Sequence, residues 1–178
     1  MQRVTIIGTS LNADSKSQVL AGKFEEVLQQ VGVKVERFDL RQMEIPFAGT
    51  AEGWSSPPDV AALQKSVEAS SHIVFAVPIY CYDVNSAAKN VIELTGRSFT
   101  QKVVGFICAA GGSGSYMSVM GMANHLMLDF RCVIVPRFLY AESSHWSDDG
   151  SLALEITERL VRLKSDMAEI SMLPAAEE

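Results

Sequence analysis

Five short runs rich in β-branched residues alternate with segments of helical periodicity along this chain. The runs are residues 4–8, 33–38, 73–77, 103–110 and 132–135. The helical segments are about 17–31, 59–70, 86–95, 116–129 and 150–171. Runs that are apolar throughout predict strands buried on both faces, and helical connections make such strands parallel. The pattern therefore predicts a doubly wound α/β fold, with a five-stranded parallel sheet and helices on both faces. We take its strand order to be 2-1-3-4-5, for which the order reverses between strands 1 and 3.

Local signals mark several of the predicted helix ends. Asp59 follows two prolines as a candidate N-cap, Asn85 is placed to cap the next helix, and Gly96 is placed to end it. The tripeptide 148–150, Asp-Asp-Gly, precedes the last helix. The final residues, 174–178, are expected to fray.

Size and charge restrict the classes of protein that this chain can represent. At 178 residues and 48% hydrophobic content, we expect a single domain spanning 1–178. A net charge of −6 and the absence of a Lys/Arg cluster argue against a nucleic-acid surface. No signal peptide precedes the first strand, and no apolar run approaches the roughly 20 residues of a membrane span. We therefore expect a cytoplasmic protein whose partners are small molecules or other protein chains.

The cysteines and histidines show no ligand spacing, so no metal site is predicted. The cysteines are Cys81, Cys108 and Cys132. They are widely spaced and are expected to be reduced thiols, with Cys81 a wall residue rather than a redox group. The histidines are His72, His125 and His145, each expected at the surface or at an interface.

A hydroxyl-rich loop, residues 9–17, links the first strand to the first helix. Its polar candidates are Ser10, Asn12, Ser15, Lys16 and Ser17. The first turn of the helix directs unpaired N–H groups and the positive end of its dipole at this loop, which favours a phosphate. Ser15 and Gln18 also match a capping box, and taken alone the loop is more simply a helix cap.

Two further loops distinguish between these interpretations. Segment 78–86 places a proline and two tyrosines after the third strand, and segment 109–115 is rich in glycine. In an open α/β sheet, ligands bind beyond the carboxyl ends of the strands, where the strand order reverses, so all three loops are expected to converge. Phosphate donors, aromatic walls and a glycine-lined edge together predict a phosphorylated, planar heteroaromatic ligand, and flavin mononucleotide (FMN) fits that description.

With these motifs the chain resembles the NADPH-dependent FMN reductase family of flavodoxin-like proteins, which includes flavin, quinone, azo-dye and chromate reductases. The resemblance is carried by the strand-loop-helix start, by the block 75–80 leading to 88–90, and by the loop Gly111-Gly112-Ser113. It implies a flavodoxin-like three-layer sandwich, with FMN as cofactor and NADPH or NADH as co-substrate.

The resemblance also implies three groups of flavin contacts. The phosphate group is Ser10, Asn12, Ser15, Lys16 and Ser17; the second loop supplies Pro78, Ile79, Tyr80, Cys81, Tyr82 and Asp83; the pyrimidine edge of the ring meets Gly111, Gly112 and Ser113. Many members carry arginine where Asn12 stands, and asparagine or lysine where Cys81 stands. No catalytic side chain is named, because the flavin N5 carries the chemistry.

The activity implied is hydride transfer from reduced nicotinamide to flavin N5, followed by transfer of two electrons to a small acceptor such as free flavin, a quinone, an azo dye or a metal oxyanion. Two alternatives stay open: a flavodoxin-like electron carrier without a nicotinamide site, and a flavin-binding module without turnover. Arg41, Arg97 and Arg137 are candidates for the extra phosphate of NADPH.

The methionine-rich helix carries more apolar surface than one sheet needs. Its apolar residues are Met117, Met120, Met122, Leu126, Met127 and Leu128. Most are expected in the core, with the remainder pairing with another subunit. Since the related reductases commonly dimerise, we expect a homodimer or a dimer of dimers.

Overall fold

A computed structural model describes residues 3–170, in which strands and helices alternate as predicted. The strands are β1 (Arg3–Gly8), β2 (Lys34–Asp39), β3 (His72–Tyr80), β4 (Asp83–Val84), β5 (Val103–Ala110), β6 (Val133–Ile134) and β7 (Leu139–Glu142). The α-helices are α1 (Lys16–Gln29), α2 (Ala51–Trp54), α3 (Pro58–Ala69), α4 (Ser86–Thr95), α5 (Met120–Phe130) and α6 (Leu154–Glu169). The tail at 174–178, predicted to fray, lies outside the described residues.

The parallel strands run in the order β2-β1-β3-β5-β6, with β7 pairing with β5 beyond β6. Counted along the chain, this is the predicted order 2-1-3-4-5, and the prediction of a parallel α/β sheet is confirmed. Gly8 of β1 pairs with Ala76 of β3, and Ala76 pairs with Ile107 of β5. The carboxyl ends of these three strands therefore lie side by side.

Two apolar layers cover the sheet, because successive strand residues point to opposite faces. On one face Phe75 stacks between Phe99 and Phe106, with ring centroids 5.5 and 6.1 Å apart, in a cluster that also contains residues of α3, α4 and α5. On the other face α1 and α6 supply Phe24 and Leu160 to the second cluster. The central strands are thus buried on both sides.

The predicted last strand at 132–135 is in fact two short strands. Val104 pairs with Ile134 of β6, and Ile107 pairs with Leu139 of β7. Four residues, 135–138, therefore pass opposite only two residues of β5. Pro136 has no N–H for the ladder, and Arg137 lies in the left-handed region at φ 60°. The sequence prediction missed β7 for this reason.

The start of α3 lies one residue before the predicted position, and that of α6 lies four residues after it. Asp59 is not the cap of α3, which begins at Pro58 with Pro57 in the N-cap position. Proline suits the first helical turn because its missing N–H would have no partner there. The last helix begins at Leu154 rather than at Gly150. No helix within residues 3–170 combines the length and the apolar character needed to cross a membrane.

His72 was predicted at the surface or at an interface, and it is buried in β3 instead. Its Nδ1 lies 2.7 Å from Ser71 Oγ, and its Nε2 lies 3.0 Å from the carbonyl oxygen of Met167. Burial lowers the pKa of His72, although the hydrogen bonds between its Nε2 and the carbonyl oxygens of Met167 and Ile170 oppose this. We assign the neutral ring that donates from Nε2, which ties the end of α6 to the sheet.

Candidate functional site

A cavity of about 260 Å³ lies where the carboxyl ends of β1, β3 and β5 meet. It separates the serine loop, defined as residues 9–17, from the glycine loop, defined as residues 109–115. Nine of the fourteen predicted site residues line it: Ser10, Asn12, Ser15, Lys16, Ser17, Pro78, Ile79, Tyr80 and Gly111. Five do not: Cys81, Tyr82, Asp83, Gly112 and Ser113. Asp14, Ala109, Ala110 and Ser143 complete the lining and were not predicted.

The serine loop concentrates hydroxyl groups at the start of α1. The N–H of Gln18 donates to Ser15 Oγ at 3.2 Å, so Ser15 is the N-cap, and Ser17 Oγ lies 3.0 Å from Ser15 Oγ. Ser10, Ser15 and Ser17 are all buried. The first N–H groups of a helix have no partner within it, and they add to the positive end of the dipole. The loop therefore offers hydroxyl and N–H donors to one anionic group.

The predicted capping box is only half formed, because the side chain of Gln18 has a different role. Its Nε2 donates to the carbonyl oxygen of Gly8 at 2.9 Å, to that of Ser10 at 3.4 Å and to Asp39 Oδ1 at 2.8 Å. A Cβ at Gly8 would lie 2.6 Å from Gln18 Cδ and closer still to Oε1. Glycine at position 8 thus makes room for the amide that fastens the serine loop to β1 and β2.

Arg41 links the serine loop to Asp39 at the end of β2. Its Nη2 lies 2.5 Å from Asp39 Oδ2, and its Nη1 donates to the carbonyl oxygen of Ala13 at 2.8 Å. Burial opposes ionisation of Asp39, but the hydrogen bonds and the charge of Arg41 hold the pKa of this carboxyl below its ordinary value. Arg41 was a candidate for the extra phosphate of NADPH, and its guanidinium is already engaged here.

Asn85 occupies the predicted N-cap position of α4, but its side chain does not cap the helix. Its Nδ2 donates to the carbonyl oxygen of Thr9, and Thr9 Oγ1 donates to Asn85 Oδ1, both at 2.7 Å. Both residues are buried, and the N–H of Thr9 also donates to the carbonyl oxygen of Ala76 at 3.0 Å. These bonds join the serine loop to β3 and to the start of α4.

The predicted loop after β3 is largely a β-hairpin. Pro78, Ile79 and Tyr80 belong to β3, and Tyr80 pairs with Asp83 of β4. The two turn residues, Cys81 and Tyr82, have φ values of 51° and 61°. Positive φ at both central positions matches a type I′ turn, which usually takes Asn-Gly. Residues other than glycine are strained in this backbone conformation, and strained residues of this kind cluster at ligand sites.

Two tyrosine rings of this hairpin are exposed, and one of them, Tyr80, lines the cavity. Tyr80 is 52% exposed and Tyr82 is 73% exposed. Aromatic rings of this size are usually buried, so the exposed ring of Tyr80 at the cavity favours a surface for stacking a flat ligand.

The glycine loop presents open backbone to the cavity. An added Cβ at Gly111 or Gly112 would meet no atom within 4 Å. The carbonyl oxygen of Gly112 accepts a 2.6 Å hydrogen bond from the hydroxyl of Tyr140, and that hydroxyl also lies 2.7 Å from Ser115 Oγ. Tyr140 lies in β7, so the missed strand also concealed the residue that fixes this loop.

Lys16 supplies a positive charge at the mouth of the serine loop. Its Nζ lies 5.6 Å from the ring centroid of Trp146, a cation–π contact. Trp146 follows β7, and a short antiparallel bridge to Leu152 holds it. Within residues 3–170 no carboxylate forms an ion pair with Lys16, so its charge stays available to an anionic ligand.

The thiols are not arranged for redox chemistry or for metal binding. Cys81 is exposed, whereas burial raises the pKa of the Cys108 thiol and raises that of Cys132 to about 11. Buried thiols with raised pKa values are inert. In the described part of the chain, no group of three or more His, Cys, Asp or Glu residues is gathered as a metal site requires.

A larger cavity, about 910 Å³, lies away from the strand ends. Its lining includes Trp54, Arg97, His125 and Leu128. It has neither the serine hydroxyls nor the open glycine backbone of the smaller cavity. The donor chemistry therefore places the candidate site at the strand ends.

Residues 2–146 match the family described as NADPH-dependent FMN reductase. An NAD(P)H-dependent FAD/FMN reductase of Geobacillus thermodenitrificans is 23% identical over 133 residues, which cover 74% of this chain and 72% of that protein. FerB, a flavoenzyme NAD(P)H:(acceptor) oxidoreductase of Paracoccus denitrificans, superposes with a TM-score of 0.74 at 18% identity, over 94% of this chain and 96% of that one. A flavodoxin from the domain Archaea superposes with a TM-score of 0.66 at 12% identity, over 94% and 97%. The structural likenesses show a flavodoxin-like fold.

Proposed function

Because the chain belongs to the NADPH-dependent FMN reductase family, we propose that it binds FMN at the strand ends and that NADPH or NADH reduces this flavin. Membership makes the chain an NAD(P)H-dependent flavin oxidoreductase. One observation carries the assignment of the site: the serine hydroxyls around the start of α1 face the open glycine backbone across a single cavity. The two sides match the two polar ends of FMN.

The residues present fit the chemistry of FMN. We assign its phosphate to the serine loop residues Ser10, Asn12, Ser15, Lys16 and Ser17. Their hydroxyl, amide and ammonium donors lie at the positive end of α1, as a phosphate dianion requires. The missing family arginine at Asn12 leaves Lys16 as the cation for this phosphate.

The ring end fits as well. The cavity of about 260 Å³ has room for only part of the cofactor, since small-molecule sites usually exceed about 300 Å³, so the ring has to lie partly outside it. We propose that the isoalloxazine extends past the hairpin residues Pro78, Ile79, Tyr80, Cys81, Tyr82 and Asp83, and that Gly111, Gly112 and Ser113 meet its pyrimidine edge. The exposed tyrosines support this placement.

Bound FMN would supply the redox chemistry, namely hydride acceptance from reduced nicotinamide and donation of two electrons to an acceptor. The chain has to orient the ring and to stabilise negative charge at its pyrimidine edge. A Cβ added at Gly111 or Gly112 would meet no atom within 4 Å, so a ligand can come close to this backbone, and Tyr140 holds the loop in place through the carbonyl oxygen of Gly112. We assign no acid, base or nucleophile.

Anaerobic mixing of the FMN-loaded protein with NADPH or NADH tests the proposal. We expect the flavin absorbance to bleach within a catalytic time, and free flavin, a quinone, an azo dye or chromate to restore it. The acceptor that restores it fastest identifies the substrate class. A flavin that binds and is reduced by neither nucleotide would indicate an electron carrier; a chain that binds no flavin would contradict the proposal altogether.

We also propose a homodimer or a dimer of dimers. The methionine-rich segment, predicted mostly as core, buries only Met122 and Leu126, and leaves Met117, Met120, Met127 and Leu128 exposed. Leu128 is 76% exposed and lines the 910 Å³ cavity together with Trp54, which is 77% exposed. Exposed apolar surface of this kind supports self-association. Light scattering is expected to give twice or four times the chain mass of 19.4 kDa, and a monomer mass would contradict the proposal.

A further inference from the structure

Three arginines line a third cavity, about 410 Å³, at the open edge of the sheet. Arg137 comes from the interruption between β6 and β7, and Arg159 and Arg162 come from α6. Tyr116, Phe138 and Asp166 lie around them. A concentration of guanidinium groups stands out on a chain whose net charge is −6.

Two of these guanidinium groups are not neutralised. Arg159 forms an ion pair with Glu155, one helical turn away. Across residues 3–170, neither Arg137 nor Arg162 lies within ion-pair distance of a carboxylate. Asp166 is the carboxylate among the lining residues. The cavity is therefore positive and suited to an anionic ligand.

Arg137 has an unusual backbone conformation where the chain passes from β6 to β7. Residues 135–138 pass opposite only two residues of β5, and Arg137 has φ 60°. Extra residues at a sheet edge re-aim a side chain, and such features occur beside functional sites. A surface arginine needs no strained backbone merely to be exposed.

Two aromatic contacts connect this cavity with the glycine loop. Phe138 stacks on Tyr116 with centroids 4.8 Å apart, and Tyr116 meets the edge of Tyr140 at 5.3 Å. Tyr140 in turn holds the carbonyl oxygen of Gly112. Tyr116, which lines this cavity, is therefore separated from Gly112 of the glycine loop by one buried side chain, that of Tyr140.

We propose that the cavity of Arg137 and Arg162 binds the 2′-phosphate of NADPH and so selects NADPH over NADH; this inference rests on the proposed function. A guanidinium fork matches a phosphate monoester, and that phosphate is the chemical difference between the two nucleotides. Of the three candidate arginines, Arg41 is engaged by Asp39 and Arg97 lines the 910 Å³ cavity on another part of the surface. Arg137 has two further arginines beside it.

Binding of NADP⁺ and NAD⁺ to the FMN-loaded protein, measured by calorimetry, tests this inference. The variants are Arg137→Asn, since asparagine tolerates positive φ, and Arg162→Gln. Loss of one charge-assisted hydrogen bond is expected to weaken NADP⁺ binding about tenfold or more, with NAD⁺ binding unchanged. Arg162→Lys is expected to restore part of the affinity. Lys164→Ala removes a positive charge from α6 outside the cavity and is expected to change neither.

Steady-state kinetics give a second readout, in which KM for NADPH rises and KM for NADH and both kcat values stay close to wild type. Competition experiments distinguish a site for a nucleotide 2′-phosphate from a site for free phosphate. We expect 2′-AMP to displace NADP⁺ from the wild type, and to do so less well from the variants. Unchanged NADP⁺ affinity, or equal losses for NADP⁺ and NAD⁺, would overturn the inference. The inference would also be overturned if inorganic phosphate bound to these arginines without competing with NADP⁺. If neither nucleotide reduces the flavin while the arginines still govern NADP⁺ binding, the proposed function fails and this site stands.

Discussion

Replacing Gly8 with alanine is expected to lower the free energy of unfolding by about 3 kcal/mol and to weaken FMN binding with it. The new Cβ would lie 2.6 Å from Gln18 Cδ. The amide cannot simply swing aside, because its Nε2 donates to two carbonyl oxygens and to Asp39 in a buried position. Displacing it leaves buried acceptors without their donor, and the serine loop loses its tie to β1 and β2.

Urea unfolding and FMN titration measure both effects. Gly22→Ala is the matched control, because an added Cβ there meets nothing within 4 Å and the position lies inside α1. Alanine in a helix interior is expected to stabilise by up to about 1 kcal/mol relative to glycine. Combining Gly8→Ala with Gln18→Ala removes the clash, so the two losses should be clearly less than additive. A Gly8→Ala protein as stable as the wild type would refute the role given to Gln18.

Most of the fold was predictable because it depends on local patterns. The apolar runs of β1, β3 and β5 identified buried strands, and the helix patterns between them indicated that these strands are parallel. The pairing of Gly8 with Ala76, and of Ala76 with Ile107, then brings three loops together. The convergence of nine predicted site residues on one cavity follows from this topology alone.

The contacts that hold the site together were not predictable, because they join residues far apart in the sequence. Thr9 and Asn85 bond each other across 76 positions, and each separately resembles a loop residue or a cap. Gln18 matched a capping box, and only the structure shows its amide turned toward Asp39. Tyr140 lies in β7, a strand that the sequence pattern did not predict because Pro136 and Arg137 interrupt the apolar run before it. The turn at Cys81 and Tyr82 lacks the Asn-Gly signature of a type I′ hairpin.

Replacing Ser10, Ser15 and Ser17 together with alanine is expected to weaken FMN binding by roughly a hundredfold or more. A hydrogen bond to a charged group contributes about 1.5–3 kcal/mol, so the loss of even two such bonds to the phosphate accounts for this factor. Riboflavin lacks the phosphate, so its binding should fall by less than about fivefold, through the loss of the Ser15 cap, worth about 1 kcal/mol.

Ser113→Ala is the matched control at the opposite end of the proposed site, and it is expected to affect both ligands equally. Melting temperatures of all variants separate lost binding from lost folding. The decisive measurement is the ratio of FMN to riboflavin affinity in the triple serine variant, relative to the wild type. A fall in this ratio of at least about twentyfold is predicted if the serine loop binds the phosphate; an unchanged ratio would mean that the loop is only a helix cap.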